Sequence, residues 1–166
     1  MFKNIIYIFL PLVIGCAKID SYKWVQTLPK PWELTEKELG SYLLKFQSRF
    51  PDYKNRLIAL NLWRVGTPYG IFCLGEEKGI DTDPIIRIDT SDCTVHVLTT
   101  IAYAESKSVE EAREKMIQIH YKPDENGLVE PNYKSRWHYT SDRLLNNFKT
   151  PDITSKIVPD DLAETI

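Results

Sequence analysis

The chain has 166 residues, of which 43% are hydrophobic and 27% are charged, a composition typical of one globular domain. Its formal net charge is −2 and it has no sustained basic block, which argues against nucleic-acid binding. The sequence has neither C-x-x-C nor H-x-x-H spacing, which argues against a zinc site.

The first residues have the features of an export signal. Lys3 provides a positive charge, and residues 5–14 form an apolar run that is too short to span a bilayer permanently. The run ends in Leu12-Val13-Ile14-Gly15-Cys16, which resembles a bacterial lipobox, a signal whose cysteine is lipidated and becomes the new N-terminus. An ordinary secretory signal with a chance cysteine is the alternative. Ala17 favours sorting to the outer membrane, so we expect a lipid-anchored protein facing the periplasm or the cell surface.

These signals divide the chain into three parts. Residues 1–15 are predicted to be a lipoprotein signal peptide, and residues 16–34 a lipidated N-terminus and tether. Residues 35–166 are predicted to form the folded domain, against which Trp24 is expected to pack.

Two helices are predicted at the start of this domain. The first follows a capping box formed by Thr35 and Glu38. The second opens near Pro51 and stops at Gly66. Apolar residues recur at helical spacing, so the predicted buried faces hold Leu39, Leu43 and Phe46 in the first helix and Ile58, Leu62 and Val65 in the second.

The segment that follows contains the most informative cysteine. Residues 71–84 are predicted to form a surface loop, and residues 85–88 a short strand that turns at residues 89–92 into a helix. Cys93 falls in the first turn of this helix, where the helix dipole and unpaired N–H groups stabilise a thiolate. A predicted buried stripe of Val97, Ile101 and Ala104 would hold the helix in place.

This position of Cys93 suits a nucleophile, and two alternatives stay open. The residue is also compatible with a buried structural cysteine. In an oxidising compartment it could instead form a disulfide with Cys73, which would remove the nucleophile.

A further helix is predicted after the capping box of Ser108 and Glu111, with a buried face of Val109, Ala112, Met116 and Ile119. His120 ends this helix, where the dipole favours a cation, and a structural role is favoured over a catalytic one. Residues 133–139 then combine three aromatics, an arginine and a histidine, a mixture suited to a polar cleft or to an interior segment. A short helix is predicted from Ser141 through Asn147.

Three motifs carry a resemblance to a known family. Gly66-Thr67-Pro68-Tyr69 is similar to a turn, and Asp92-Cys93-Thr94 to the junction that holds the nucleophile, in the N-acetylmuramoyl-L-alanine amidase-like family of NlpC-type, papain-like cell-wall cysteine hydrolases. Residues 133–147 resemble the family segment Y-x-S-R-x-H-Y-x-x-D-x-x-x-N-N. The resemblance extends over roughly residues 35–157.

The resemblance implies an α+β, papain-like fold, represented mostly by its helical N-terminal lobe, with the sheet half missing or truncated. Residues 35–166 would be the N-terminal part of the catalytic domain. The implied enzyme is a cysteine amidase that cuts the bond between N-acetylmuramic acid and L-alanine in muropeptides, without a metal or organic cofactor. Cys93 would be catalytic, and the substrate-binding residues would be Tyr69, Asp92, Ser135, Arg136, His138 and Tyr139.

The sequence departs from the family at several positions. His96 stands where relatives carry an aromatic residue, Leu98 where they carry an acidic one, and Arg143 replaces a common tryptophan. The family's catalytic histidine is expected beyond residue 166, so this chain is expected to be impaired by itself. The alternative is an inactive, lipid-anchored protein that binds peptidoglycan or a protein partner.

Overall fold

The computed structural model describes residues 22–147, which form helices joined by long irregular segments. Residues 22–26 are helical and a 3-10 turn covers Pro31–Glu33. The longer elements are α1 (Glu36–Arg49), α2 (Tyr53–Trp63), α3 (Cys93–Ala104), α4 (Val109–His120) and α5 (Thr140–Asn146).

The expected papain-like α+β fold is wrong for this part of the chain, because residues 22–147 form no strand and only isolated bridges. The strand predicted at residues 85–88 is a series of bends. The backbone N–H of Gly75 donates to the carbonyl of Pro84, and that of Glu77 donates to the carbonyl of Asp83. Backbone pairing between this segment and the preceding loop therefore stops at Pro84. Proline has no N–H with which to extend a ladder.

Local capping signals explain where the helices begin. At α1, the Thr35 side chain accepts the N–H of Glu38 while the Glu38 carboxylate accepts that of Thr35, which confirms the predicted capping box. Asp92 caps α3 and Ser108 caps α4 through the same kind of bond. At α2 the cap is Asp52, one residue after the predicted proline.

Two buried arginines join α2 to α3. Arg56, at the start of α2, donates from Nε to the carbonyl of Ala104 at the end of α3, at 2.6 Å. Arg64, just past the end of α2, donates from Nη1 to the carbonyl of His96 at 2.6 Å. The two helices are therefore antiparallel. Burial lowers the pKa of Arg64 to about 10, so the side chain stays charged at neutral pH and keeps these bonds.

The predicted buried face is correct for α1 and α4 and wrong for α2. On α3 the prediction is correct for Ala104, which is buried, and for Ile101, which packs against the core, but wrong for Val97. Leu39, Leu43 and Phe46 are buried on α1, as are Ala112, Met116 and Ile119 on α4. In contrast, exposed side chains include those of Ile58 and Leu62 on α2, Val65 just after it, and Val97 on α3. The core instead takes Leu60, Trp63, Val95 and Leu98. Both helices carry apolar residues on more than one side, so the packing of α1 and α4 decides which side is buried.

The segment before α1 packs on the domain. Trp24 lies against Phe46, with ring centroids 5.2 Å apart, which confirms the expected packing of this tryptophan. Trp63 donates its indole N–H to the carbonyl of Pro29 at 2.8 Å. The predicted signal peptide, Cys16 and the tail from residue 148 lie outside the described residues. Within residues 22–147, no helix combines the length and apolar character needed to cross a bilayer.

The burial of α2 leads to a first prediction. Leu60 is 0% exposed and Leu62 is 48% exposed. Replacing Leu60 with Ala should therefore lower the free energy of unfolding by about 2–4 kcal/mol, because it leaves a cavity in the core. The matched change Leu62→Ala should cost less than about 1 kcal/mol. Urea unfolding of both variants measures the difference, and equal losses would contradict the described orientation of α2.

Candidate active site

Cys93 is the first residue of α3, and its side chain is exposed. Cys73 is buried, and its thiol donates to the carbonyl of Gly70 at 3.4 Å. Both cysteines are free thiols, so the structure does not contain the disulfide that the sequence left open. The other alternative for Cys93, a buried structural cysteine, does not fit its exposed side chain, whereas Cys73 is buried.

Asp92 organises the residues around this thiol, because both of its carboxylate oxygens accept backbone N–H groups. Oδ1 accepts from Val95 at 2.8 Å and caps α3. Oδ2 accepts from Phe72 at 3.2 Å. One carboxylate therefore connects the start of the cysteine helix to the preceding loop.

The turn predicted at residues 66–69 lies beside the same junction. The N–H of Ser91 donates to the carbonyl of Pro68 at 2.9 Å, and the N–H of Gly70 donates to the carbonyl of Ser91 at 3.3 Å. Tyr69 pairs with Ser91 through an isolated parallel bridge and leaves its side chain exposed. The structure thus places Tyr69 close in space to Asp92 but not among the residues that line the adjacent cavity.

A cavity of about 360 Å³ opens next to the start of α3. It is lined by Phe72, Cys73, Leu74, Asp81, Asp92, Thr94, Val95, His120, Tyr133, Arg136, Trp137, His138 and Arg143. Three of the predicted substrate-binding residues, Asp92, Arg136 and His138, therefore share one cavity. Cys93 is not itself a lining residue, although its neighbours Asp92 and Thr94 are. The cavity joins segments that are distant in sequence: Phe72 contacts Asp92, 20 residues later, and Glu76 contacts Arg136, 60 residues later.

Arg136 holds the two sides of the cavity together. Its Nε donates to the buried carboxylate of Glu76 at 2.8 Å, and its Nη2 donates to Asp81 at 2.9 Å. Burial by itself would lower the pKa of Arg136, but its hydrogen bonds to the carboxylates of Asp81 and Glu76 outweigh burial and raise that pKa. The guanidinium is thus already paired, and its predicted contact with a substrate stays a prediction.

Ser135 and Tyr139 are not among the residues that line the cavity, whereas His138 lines it with an exposed side chain. The Ser135 hydroxyl donates to the carbonyl of Glu130 at 2.8 Å and closes a turn. His138 is exposed, and its Nε2 lies 2.9 Å from the carbonyl oxygen of Tyr133. Tyr139 is exposed where α5 begins. Of the aromatics in residues 133–139, Trp137 is the one buried, so this segment combines interior and cleft positions.

A family model and a solved structure are similar to this chain. A family model described as AmiA-like, N-acetylmuramoyl-L-alanine amidase-like, matches residues 61–165. The chain belongs to this family. The match includes α3 and every segment that lines the cavity. No curated protein matches the sequence.

A solved structure supports the fold of this amidase-like chain. It is the crystal structure of a Legionella pneumophila protein of the family DUF1460, with 27% identity and a TM-score of 0.59. The alignment covers 76% of this chain and 43% of that protein, so the chain spans less than half the length of its relative. The resemblance to the amidase-like family is confirmed, whereas neither comparison supports the narrower NlpC-type assignment.

His120 lines the cavity of this amidase-like domain as a neutral side chain. Burial, followed by the charge of Arg143, lowers the pKa of His120 to about 3. Its Nδ1 lies 3.2 Å from Nη2 of Arg143 and accepts that N–H, which fixes the neutral tautomer. The structural role predicted for His120 fits these contacts, but the predicted cation at the end of α4 is wrong because desolvation outweighs the helix dipole.

His96, three residues after Cys93 in the sequence, is hydrogen-bonded to a side chain other than the thiol. His96 Nε2 lies 3.0 Å from the side-chain oxygen of Asn61. Burial, and secondarily the charge of Arg64, lower the pKa of His96. The side chains of His96, His120 and His138 thus form hydrogen bonds with Asn61, Arg143 and the carbonyl of Tyr133, respectively. Across residues 22–147, no group of three or more His, Cys, Asp or Glu side chains is arranged to hold a metal ion.

Sequence reasoning missed two features of the site. Phe72 lies in an irregular loop, where no periodicity marks a residue as part of a site. Glu76 and Asp81 were not connected with Arg136, which follows them by 60 and 55 residues. The only available signal was that a loop with acidic residues precedes an arginine in an aromatic cluster. That pattern does not specify which carboxylates pair with Arg136.

The ion pair at the cavity leads to a second prediction. Arg136→Ala should lower the free energy of unfolding by about 3 kcal/mol, because it leaves the Glu76 carboxylate buried without its cation. Arg113→Ala is the matched control, since its pair with Glu77 is exposed, and it should cost less than about 1 kcal/mol. Chemical denaturation of both variants is the measurement. A loss no larger for Arg136 than for Arg113 would show that the buried pair does not hold the cavity together.

Proposed function

We propose that the protein is a cysteine amidase that cleaves the bond between N-acetylmuramic acid and L-alanine in muropeptides, with Cys93 as the nucleophile. The observation that carries this proposal is an exposed, free thiol at the first residue of α3, a helix whose next two residues, Thr94 and Val95, line a cavity within the amidase-like match. The chain spans less than half of its longer relative, so the activity is proposed for the whole protein.

In the proposed reaction the Cys93 thiolate attacks the lactyl carbonyl of the muramoyl group. The carbon–nitrogen bond breaks as a proton is delivered to the alanine nitrogen, which leaves a muramoyl thioester on the sulfur. Water then hydrolyses the thioester and restores the thiol. The N–H groups of Cys93 and Thr94 lie in the first helical turn, where helix geometry provides no intrahelical acceptor, so they are suited to stabilise the oxyanion.

The proton acceptor for Cys93 is proposed to come from outside residues 22–147. The support is that His96, His120 and His138 each have a hydrogen-bond partner other than the thiol. A base must lie within hydrogen-bond reach of the proton that it takes.

The substrate is proposed to occupy the cavity, with Asp92 and His138 at its wall and Tyr69 and Tyr139 near its rim. The exposed hydroxyl and imidazole groups suit the many polar groups of a muropeptide. Arg136 and Ser135 are proposed to act mainly by holding the cavity segments in place, because their side chains already have partners.

This function can be tested by comparing the full-length protein with its Cys93→Ala variant. Muropeptides are incubated with each protein, and release of the free stem peptide is followed by chromatography and mass spectrometry. We expect the variant to lose at least about a thousandfold in rate, because it lacks the nucleophile. Equal release by both proteins would refute the assignment.

The engagement of all three described histidines favours a second candidate, an inactive protein that binds peptidoglycan through the same cavity. In that case the unmodified protein and Cys93→Ala would bind muropeptides equally and neither would release the stem peptide. The chromatographic experiment separates the two candidates.

We also propose that the protein is lipidated at Cys16 and held at the outer membrane, facing the periplasm or the cell surface. The support is the lipobox-like sequence before Cys16, and peptidoglycan lies in the same compartment. In a bacterial expression host, Cys16→Ser should abolish incorporation of labelled fatty acid and move the protein to the soluble periplasmic fraction. Unchanged labelling of this variant would exclude Cys16 as the modified residue.

A further inference from the structure

Phe72 has a backbone conformation that its side chain does not favour. Its φ is 54°, in the left-handed region that bulky residues rarely adopt. The N–H of Phe72 donates to Oδ2 of Asp92 at 3.2 Å, which holds this conformation in place. Unusual backbone geometry of this kind is a reason to look for a functional role.

The ring of Phe72 contributes little to folding. The residue is 86% exposed, more than any other large hydrophobic residue in the described chain. Phe72 nevertheless lines the cavity beside α3. An aromatic ring that stays in water at the mouth of a cavity is available to contact a ligand.

The Asp92 carboxylate also connects the backbone at Phe72 to the start of the helix that carries the nucleophile. Its other oxygen caps α3 through Val95, two residues after Cys93. The loop carrying Phe72 and the helix carrying Cys93 are thus attached to the same carboxylate. The backbone that carries the ring is therefore tied to the helix that carries the sulfur.

We propose that Phe72 is a specificity residue whose ring packs against the face of the sugar of the substrate, with Asp92 as its positioning residue. This inference rests on the proposed function, in which the acyl group transferred to Cys93 carries the sugar. A pyranose ring has a face of C–H bonds that are weakly positive, and these fit the negative face of an aromatic ring. The inference assigns the sugar side of the substrate to the loop at residues 70–73.

Binding to the full-length protein in the Cys93→Ala background tests this assignment without turnover. Two probes are compared by calorimetry: N-acetylmuramoyl-L-alanyl-D-isoglutamine, and D-lactoyl-L-alanyl-D-isoglutamine, which lacks the sugar. Phe72→Ala should weaken binding of the first probe about threefold to tenfold and leave binding of the second unchanged. Phe72→Trp should retain binding of the first probe, because it keeps an aromatic face.

The matched control is Ile71→Ala, since Ile71 is also exposed but does not line the cavity. It should leave both affinities unchanged. The proposal is overturned if Phe72→Ala binds the sugar-bearing probe normally, if it weakens both probes equally, or if the protein with Phe72 intact binds neither probe. Failure of the proposed amidase function would be seen separately, as equal turnover with and without Cys93.

Discussion

The two hydrogen bonds to the carboxylate of Asp92 are the constraint on which the candidate site depends. One oxygen accepts the N–H of Val95 and begins α3, and the other accepts the N–H of Phe72 in the preceding loop. Cys93 follows directly and therefore occupies the first helical position, where its side chain is exposed. A neutral or shorter side chain would not satisfy both donors with equal strength, because hydrogen bonds to an ionised acceptor are the stronger ones.

The opposite wall of the cavity is held by charge rather than by a sheet. Arg136 donates to Glu76 and to Asp81, and the Tyr121 hydroxyl donates to the carbonyl of Gly75 at 2.8 Å. Glycine is required at residue 75, because a Cβ there would overlap the carboxylate of Asp81. These contacts fix the position of an irregular loop, a role that the hydrogen-bond ladder of a sheet has in other proteins.

Helix α3 is fixed from its other side by side chains that reach its backbone. Arg64 donates to the carbonyl of His96, and Arg56 donates to that of Ala104. Arg56 offsets the cost of its burial by donating to the carbonyls of Ala104, Phe50 and Pro51. Arg64 does so only in part, since its Nη1 donates to His96 and Thr100 while its Nε and Nη2 have no hydrogen-bond partner within residues 22–147. The helix is therefore anchored at both ends, so the thiol at its first residue has a defined position relative to the cavity. Such fixed geometry is what an amidase of the proposed kind requires of its nucleophile.

The sequence by itself determined the starts of α1, α3 and α4, because capping is a contact between residues three apart. It also determined the position of Cys93 and the resemblance to the amidase-like family. Only the tertiary structure decided that Leu60 rather than Leu62 enters the core, since both helix faces are apolar and the packed neighbours select one. Likewise, the pairing of Arg136 with Glu76 and the conformation of Phe72 depend on residues about 60 and 20 positions away, which no local pattern encodes.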